Sequence, residues 1–310
     1  MLISIVIPAY NEESNILARI EEIVGICEKD LSKYSYEVIV IDNASTDRTP
    51  LIIRRLCAEN PNVKAIFNSR NVGVLNSQYY GLCQANGDCA ICIFADFQEP
   101  AELIPVFVKE WEDGNKVVCG IKLASEEKKY MYLIRSLYYK MLQKMSDTAQ
   151  IEHYHGFGLF DRSFLDIMKS LDDTRPFLRG IVAELAYDRK DIVYTQLKRR
   201  AGKSFANFYR LYDMAMLGFT SYTRLGLRGA IFIGLFFAVI SFLIGMGYFI
   251  AKIIYWDSFT LGTAPALIGI FLFNSILLLF IGLLGEYCMH INNNTTGRPL
   301  VIERERLNFD

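Results

Sequence analysis

The chain has no cysteine framework. Its seven cysteines are odd in number and scattered, so no set of disulfides is expected to organise the fold. Cys89 and Cys92 have C-x-x-C spacing, but they lie in a strand-like run whose alternation sends the two thiols to opposite faces, which counts against a shared zinc or redox site. There is no excess of either charge: 33 basic against 34 acidic residues leave a formal net charge of -1. That balance lacks the basic footprint of a dedicated nucleic-acid binder. The first residues show no basic stretch followed by an apolar core, so no cleaved signal peptide is expected and the first domain is expected in the reducing cytosol. His153 and His155 have H-x-H spacing without a third ligand nearby, and a place in a pocket wall is the simpler reading than a metal site.

What is present is a change of character along 310 residues. Roughly the first two thirds alternate short β-rich runs with helical periodicity, and the last third is strongly apolar. Ile3-Ser4-Ile5-Val6-Ile7-Pro8 reads as a first strand buried on both faces. Ile16, Ile20, Ile23 and Val24 then recur at helical spacing. Tyr36 to Ile41 is a second strand, followed by a helix carrying Leu51, Ile52, Arg55 and Leu56. Val63 to Phe67 is a third strand, and a helix is expected from Gln78 to Ala85. This alternation predicts an α/β fold with a doubly wound, mostly parallel sheet.

The fourth run, Ile91-Cys92-Ile93-Phe94-Ala95, ends in Asp96-Phe97-Gln98-Glu99-Pro100. In open α/β sheets the carboxyl ends of the strands border the ligand crevice. Asp96 is therefore a candidate for handling metal or phosphate. Position alone leaves open a second role, capping a helix begun by Glu99-Pro100-Ala101-Glu102. Asn11 and Glu12 follow strand one, Asp42 and Asn43 follow strand two, and Arg70 and Asn71 follow strand three. Four polar clusters at four strand ends predict one shared ligand site.

Val6-Ile7-Pro8-Ala9-Tyr10-Asn11-Glu12, the Asp42 segment, Ser69-Arg70-Asn71-Val72-Gly73 and Ala95-Asp96-Phe97-Gln98-Glu99-Pro100 resemble the successive motifs of family 2 glycosyltransferases. The resemblance is to their membrane-bound polyprenyl-phosphate group, which includes dolichol-phosphate mannosyltransferases and bactoprenol glucosyltransferases. It continues through His155-Gly156-Phe157-Gly158-Leu159-Phe160-Asp161-Arg162, Arg200-Ala201-Gly202-Lys203-Ser204, Gly285-Glu286-Tyr287 and Arg298-Pro299-Leu300. The resemblance implies a GT-A catalytic domain, a UDP- or GDP-sugar donor, Mg²⁺ or Mn²⁺, and a polyprenyl (undecaprenyl) phosphate acceptor. It would place the nucleotide against Pro8, Tyr10, Asn11, Glu12, Asp42, Asn43, Ser45 and Arg70, and the metal on Asp96 and Gln98. Lys122, Arg135, Arg200 and Lys203 would meet phosphates, and Asp96, Asp161 and Arg200 would be catalytic. Asp161 also reads as a partner of Arg162 or a helix cap.

Three positions depart from the family pattern. Phe94 replaces the first Asp of Asp-x-Asp, Asn43-Ala44 replaces Asp-Gly in the second cluster, and Gly156 replaces the acid of Gly-Asp-Phe-Arg. A phosphate monoester is already mostly a dianion at neutral pH, with a second pKa of about 6, so an acceptor phosphate needs no protein base. A sugar hydroxyl would.

Tyr130 to Met145 has helical periodicity and reads either as a helix packed on the sheet or as one lying on a membrane. Residues 198–228 are basic and aromatic, which suits an anionic headgroup layer. Residues 229–251 and 264–285 are uncharged and long enough to span a bilayer. The expected organisation is a catalytic domain (1–200), juxtamembrane helices (201–228), two spans joined by a short outer loop (252–263) and a tail (286–310). Basic residues before the first span and after the second put both termini in the cytoplasm of a cell membrane. The absence of a Q-x-x-R-W motif counts against a polysaccharide synthase. A transferase with another acceptor and a silent scaffold or flippase partner are the alternatives, and a homo-oligomer is left open.

Overall fold

The computed structural model describes residues 1–122, 151–171, 176–186, 188–197 and 299–309, with isolated positions between 236 and 295. The chain runs β1 (Leu2–Ala9), α1 (Ile16–Asp30), β2 (Ser35–Asp42), α2 (Thr49–Glu59), β3 (Val63–Asn68), α3 (Val74–Gln84) and β4 (Cys89–Cys92). It continues through α4 (Leu103–Glu112), β5 (Val117–Lys122), β6 (Tyr154–Asp161), α5 (Arg162–Ser170), α6 (Leu178–Leu185), β7 (Arg189–Tyr194) and β8 (Glu303–Leu307). These strands form one eight-stranded sheet in the order β7-β5-β6-β4-β1-β2-β3-β8.

Strands β1, β2, β3 and β4 pair in parallel, as do β5 and β7, whereas β6 and β8 run antiparallel to their neighbours. The expected doubly wound sheet is thus a mixed one. Alternation in the strands builds two cores. Ile3, Ile5 and Ile7 with Val38 and Val40 face α1, α2 and α4. Val6, Ile39 and Ile41 face α3, α5 and α6. Cys89 belongs to the first core and Cys92 to the second, so the C-x-x-C pair is split across the sheet. Both thiols are free, and burial pushes each above the ordinary thiol range.

Two elements begin or end elsewhere than their patterns suggest. Helix α3 starts at Val74, four residues before Gln78. Strand β4 stops at Cys92, although the Ile93 N–H still donates to the Val6 carbonyl at 3.0 Å. Beyond it the Phe94 carbonyl is taken by a side chain of α1, not by the ladder.

The tail is part of the domain. β8 covers the edge of β3, in register Ala65↔Leu307 to Asn68↔Glu303. The Asn308 amide donates to the carbonyls of Cys57 and Val63 at 2.7 and 2.8 Å. Tyr80 donates to Glu303 at 2.7 Å.

Both ends of the segment between Leu197 and Pro299 lie at the rim formed by the carboxyl ends of the parallel strands. Tyr194 ends β7 beside Lys122, and Glu303 begins β8 beside Asn68. The two apolar runs fall almost wholly outside the described residues. Among the described residues no helix is long and apolar enough to cross a membrane. Those that are described in the runs include exposed Phe236, Leu243, Ile250, Leu277 and Ile281. Phe237 of the first run meets Phe273 of the second edge-on, with ring centroids 5.8 Å apart.

Candidate active site

Every loop at the carboxyl rim of β1, β2 and β3 is tied to the next. The Asn43 N–H donates to the Ala9 carbonyl at 2.9 Å, joining the ends of β1 and β2. The Asn11 N–H donates to Ser45 Oγ at 2.9 Å, and Asn11 Oδ1 accepts from the Thr46 N–H at 2.8 Å. Asn43 Oδ1 accepts from Asn68 Nδ2 and from the Val72 N–H, while its own amide donates to Asn71 Oδ1 at 3.0 Å. Arg70 is exposed on this last loop. Glu12 is turned inward, where its carboxylate accepts from Asn15 Nδ2 at 2.6 Å and its N–H donates to Thr49. Pro8 is buried within β1 and Tyr10 stands half-buried just past it.

Asp42 closes β2 with 2% of its surface exposed. Oδ2 accepts from the Ser45 N–H at 3.3 Å, and Oδ1 accepts no hydrogen bond among the described residues. Burial raises its pKa above the ordinary carboxylate range, against hydrogen bonds from Ser45 that lower it. A buried carboxylate oxygen without a donor is costly unless a ligand N–H or O–H meets it.

The Phe94–Glu99 loop is held by a residue that the motifs do not include. Arg19 is 1% exposed. It donates from Nε to the Phe94 carbonyl at 3.0 Å and from Nη2 to the Glu99 carbonyl at 2.8 Å. Nη1 pairs with Glu22 at 2.8 Å, and the guanidinium lies 5.0 Å from the Phe97 ring centroid. The signal was in the pattern: Arg19 shares the buried face of α1 with Ile16, Ile20 and Ile23. Inside the clasp Asp96 Oδ1 accepts from the Gln98 N–H at 3.2 Å, and the Gln98 carbonyl accepts from the Leu197 N–H at 3.0 Å. Helix α4 begins only at Leu103 with Glu102 preceding it, so Asp96 does not cap it. Glu99 is buried. Desolvation first and the Asp96 charge second push it up to about 8, with Arg19 opposing.

Backbone strain collects at this rim. Asn11, Ala44, Phe97 and His153 have φ between 54 and 61°, and the fifth such residue among those described, Asn308, follows β8. Left-handed backbone costs a non-glycine residue about 1–2 kcal/mol, and such strain concentrates where loops are shaped for ligands.

On the far side of β4, Lys122 ends β5 buried, its N–H donating to the His153 carbonyl at 3.3 Å. Asp161 is not brought to the rim. It pairs with Cys89 at the opposite end of β4, about 10 Å short of that strand's carboxyl end. There Oδ1 caps α5 by accepting from the Ser163 N–H at 2.9 Å, and Oδ2 accepts from Trp111 Nε1 at 2.8 Å. The chain reversal at β6 explains this: an antiparallel strand delivers its last residue to the wrong edge. Arg135, Arg200 and Lys203 lie outside the described residues.

Residues 4–167 match the model of Glycosyl transferase family 2. The chain belongs to that family. It is 30% identical over 307 residues to a bactoprenol glucosyl transferase of Shigella phage SfX, covering 99% of this chain and 100% of that one. It is also 30% identical to the prophage-derived bactoprenol glucosyl transferase of Shigella flexneri, over 97% of each chain. Among solved structures it is similar to glucosyl-3-phosphoglycerate synthase of Mycobacterium tuberculosis in complex with Mn²⁺, UDP-glucose and phosphoglyceric acid. That likeness has a TM-score of 0.49 and 16% identity, and covers 70% of this glycosyltransferase and 77% of that chain.

The residues at the rim fit a divalent cation shared with a ligand better than a cage of protein ligands. Among the described residues no three His, Cys, Asp or Glu side chains converge as a metal site. Asp96 could supply one carboxylate and Gln98 one amide, and the neighbouring Glu99 has an Oε2 that accepts no hydrogen bond among the described residues. Hard cations accept such oxygen donors together with diphosphate oxygens and water.

Proposed function

We propose that this glycosyltransferase moves a sugar from a UDP- or GDP-linked donor to a polyprenyl phosphate, undecaprenyl phosphate being the probe of choice, at the cytoplasmic face of a cell membrane. One observation carries the reading. The rim that holds Asp42 and Asp96 is also the rim from which the chain departs at Leu197 and to which it returns at Pro299. The apolar runs lie between those two points, so a lipid-borne acceptor and the donor site would share one edge of the sheet. The bactoprenol glucosyl transferases that match the chain end to end support the same acceptor.

Asp42 Oδ1 would accept from a ring N–H of the base, with Asn11, Asn43, Ser45 and Arg70 around the nucleoside. Pro8, Tyr10 and Glu12 would shape the wall beneath it. Asp96 and Gln98 would hold Mg²⁺ or Mn²⁺, which when bound neutralises charge on the departing diphosphate. Lys122, with Arg135, Arg200 and Lys203, would hold phosphate oxygens. An oxygen of the acceptor phosphate forms a bond to the anomeric carbon from the face opposite the diphosphate. The carbon–oxygen bond to the diphosphate breaks with its electron pair, inverting the centre. The nucleophile arrives ionised, so neither Asp161 nor an acid at position 156 is needed.

The test incubates purified full-length protein in detergent with labelled nucleotide sugars and undecaprenyl phosphate, with Mn²⁺, Mg²⁺ or chelator. A metal-dependent, lipid-linked sugar is expected. Failure with every donor would overturn the reading and leave a silent membrane scaffold.

A further inference from the structure

We propose that Gln78 is a positioning residue for the acceptor, its carboxamide standing in the volume that a side chain at position 156 would fill. This rests on the transfer reaction proposed above. Gln78 sits on the buried face of α3 with 1% of its surface exposed. Its Nε2 donates to the Gly156 carbonyl at 2.8 Å, and its Oε1 accepts no hydrogen bond among the described residues.

Gly156 has φ +99°, and a Cβ built there would lie 2.7 Å from Gln78 Oε1 and 2.8 Å from Cδ, with Nε2 closer still. A side chain at 156 would therefore push the Gln78 carboxamide out of the place it holds. The turn is pinned on both sides. The Lys122 N–H holds the His153 carbonyl, and Gln78 holds that of Gly156. Between these anchors Tyr154 is buried and His155 is half-buried.

The place of the turn tells which substrate it serves. The loops tied through Asn11, Asn43 and Asn71 follow β1, β2 and β3, on one side of β4. Gly156 lies on the other side, on β6, two residues past the Cys92–Gly158 pair and so alongside Phe94. With the nucleoside on the first side and the diphosphate at Asp96, the attacking phosphate approaches over β6 and Lys122. Gln78 fixes the floor of that approach and keeps position 156 free of an acidic side chain, which would repel a phosphate dianion.

The test uses full-length protein in detergent, with undecaprenyl phosphate binding, donor nucleotide binding and transfer kinetics measured separately. Gln78→Ala removes one neutral hydrogen bond, of the order of 1 kcal/mol. It should weaken undecaprenyl phosphate binding and raise its KM roughly fivefold, while nucleotide affinity and kcat change much less. Gln78→Glu can donate to the Gly156 carbonyl only when protonated, so its acceptor KM should rise with pH relative to wild type. Gly156→Ala should lose acceptor binding, and adding Gln78→Ala should restore part of it. Unchanged acceptor binding in Gln78→Ala, an equal loss of nucleotide binding, or additive losses in the double variant would each overturn the proposal. Absence of transfer by wild type with these binding shifts intact would instead count against the proposed reaction.

Discussion

Arg19 Nη2 donates to the carbonyl oxygen of Glu99 across 2.8 Å, while Nε of the same guanidinium reaches the carbonyl of Phe94 at 3.0 Å. One buried side chain of α1 thus closes both ends of the loop that presents Asp96 and Gln98. Arg19→Ala leaves two carbonyls without that donor and Glu99 without its cation. Each unsatisfied group costs about 1–3 kcal/mol, so a loss of about 2–5 kcal/mol is expected in denaturant unfolding, together with loss of transfer. Arg19→Lys is no substitute, because a point-like ammonium cannot span two carbonyls in fixed fork geometry. Wild-type stability in either variant would exclude the clasp.

The strand-end clusters were legible because residue type and position agree. β-rich runs stopped by Asn11, Asp42, Arg70 and Asp96 could hardly be anything but parallel strands opening on one crevice. Arg19 and Gln78 are harder to read, since a polar residue on an apolar helix face reveals its partner only when a distant loop is placed against it. The C-terminal strand was hidden for the same reason. Glu303 to Leu307 alternates charge with little apolar content, and only the uncovered edge of β3 makes it a strand. Asp161 caps α5 at the edge of the sheet opposite Asp96. A motif lists residues in chain order, while the direction of β6 decides which edge of the sheet they reach.

Asp161 is therefore expected to behave as a structural cap. Asp161→Asn should retain transfer within a few-fold of wild type, and abolished turnover with intact nucleotide binding would show that a base is required after all. Asp161→Ala should cost about 0.5–2 kcal/mol as a lost cap. Burial alone would raise this carboxyl, but hydrogen bonds from Ser163 and Trp111 outweigh it and hold its pKa below the ordinary value of 3.8. A depressed folded pKa contributes stability above the unfolded pKa and loses it as pH falls through the folded one. The gap between wild type and Asp161→Ala should thus be constant near neutrality and narrow below about pH 4, as read from thermal melts.

Arg54 and Glu305 tie α2 to β8 at 2.7 Å, but both are about a third exposed. A pair of that kind contributes about 0.2–1 kcal/mol, so Glu305→Ala should shift the melting temperature only slightly. Removing residues 299–310 is another matter. It strips the cover from β3 and leaves an open strand edge, with the carbonyls of Cys57 and Val63 no longer met by Asn308. The truncated protein should aggregate or melt several degrees lower in size-exclusion and thermal measurements. Normal behaviour would mean that β8 is dispensable.

Asp96→Ala separates metal binding from loop structure. The side chain accepts a hydrogen bond from the Gln98 N–H at 3.2 Å, a local turn bond whose loss costs about 0.5–1.5 kcal/mol and leaves the Arg19 clasp in place. With Phe94 beside it, this is the carboxylate proposed to meet a cation on the donor diphosphate. Removing charge stabilisation of a leaving group of this type costs on the order of 10²–10³ in rate. Transfer should fall by that factor, and the strengthening of nucleoside diphosphate binding by Mn²⁺ should disappear, while the metal-free affinity, proposed to rest on Asp42 and Asn43, stays close to wild type. Asp42→Asn should show the converse, weaker nucleotide binding with and without Mn²⁺. If Asp96→Ala kept both its rate and its Mn²⁺ response, the cation would have to be held elsewhere.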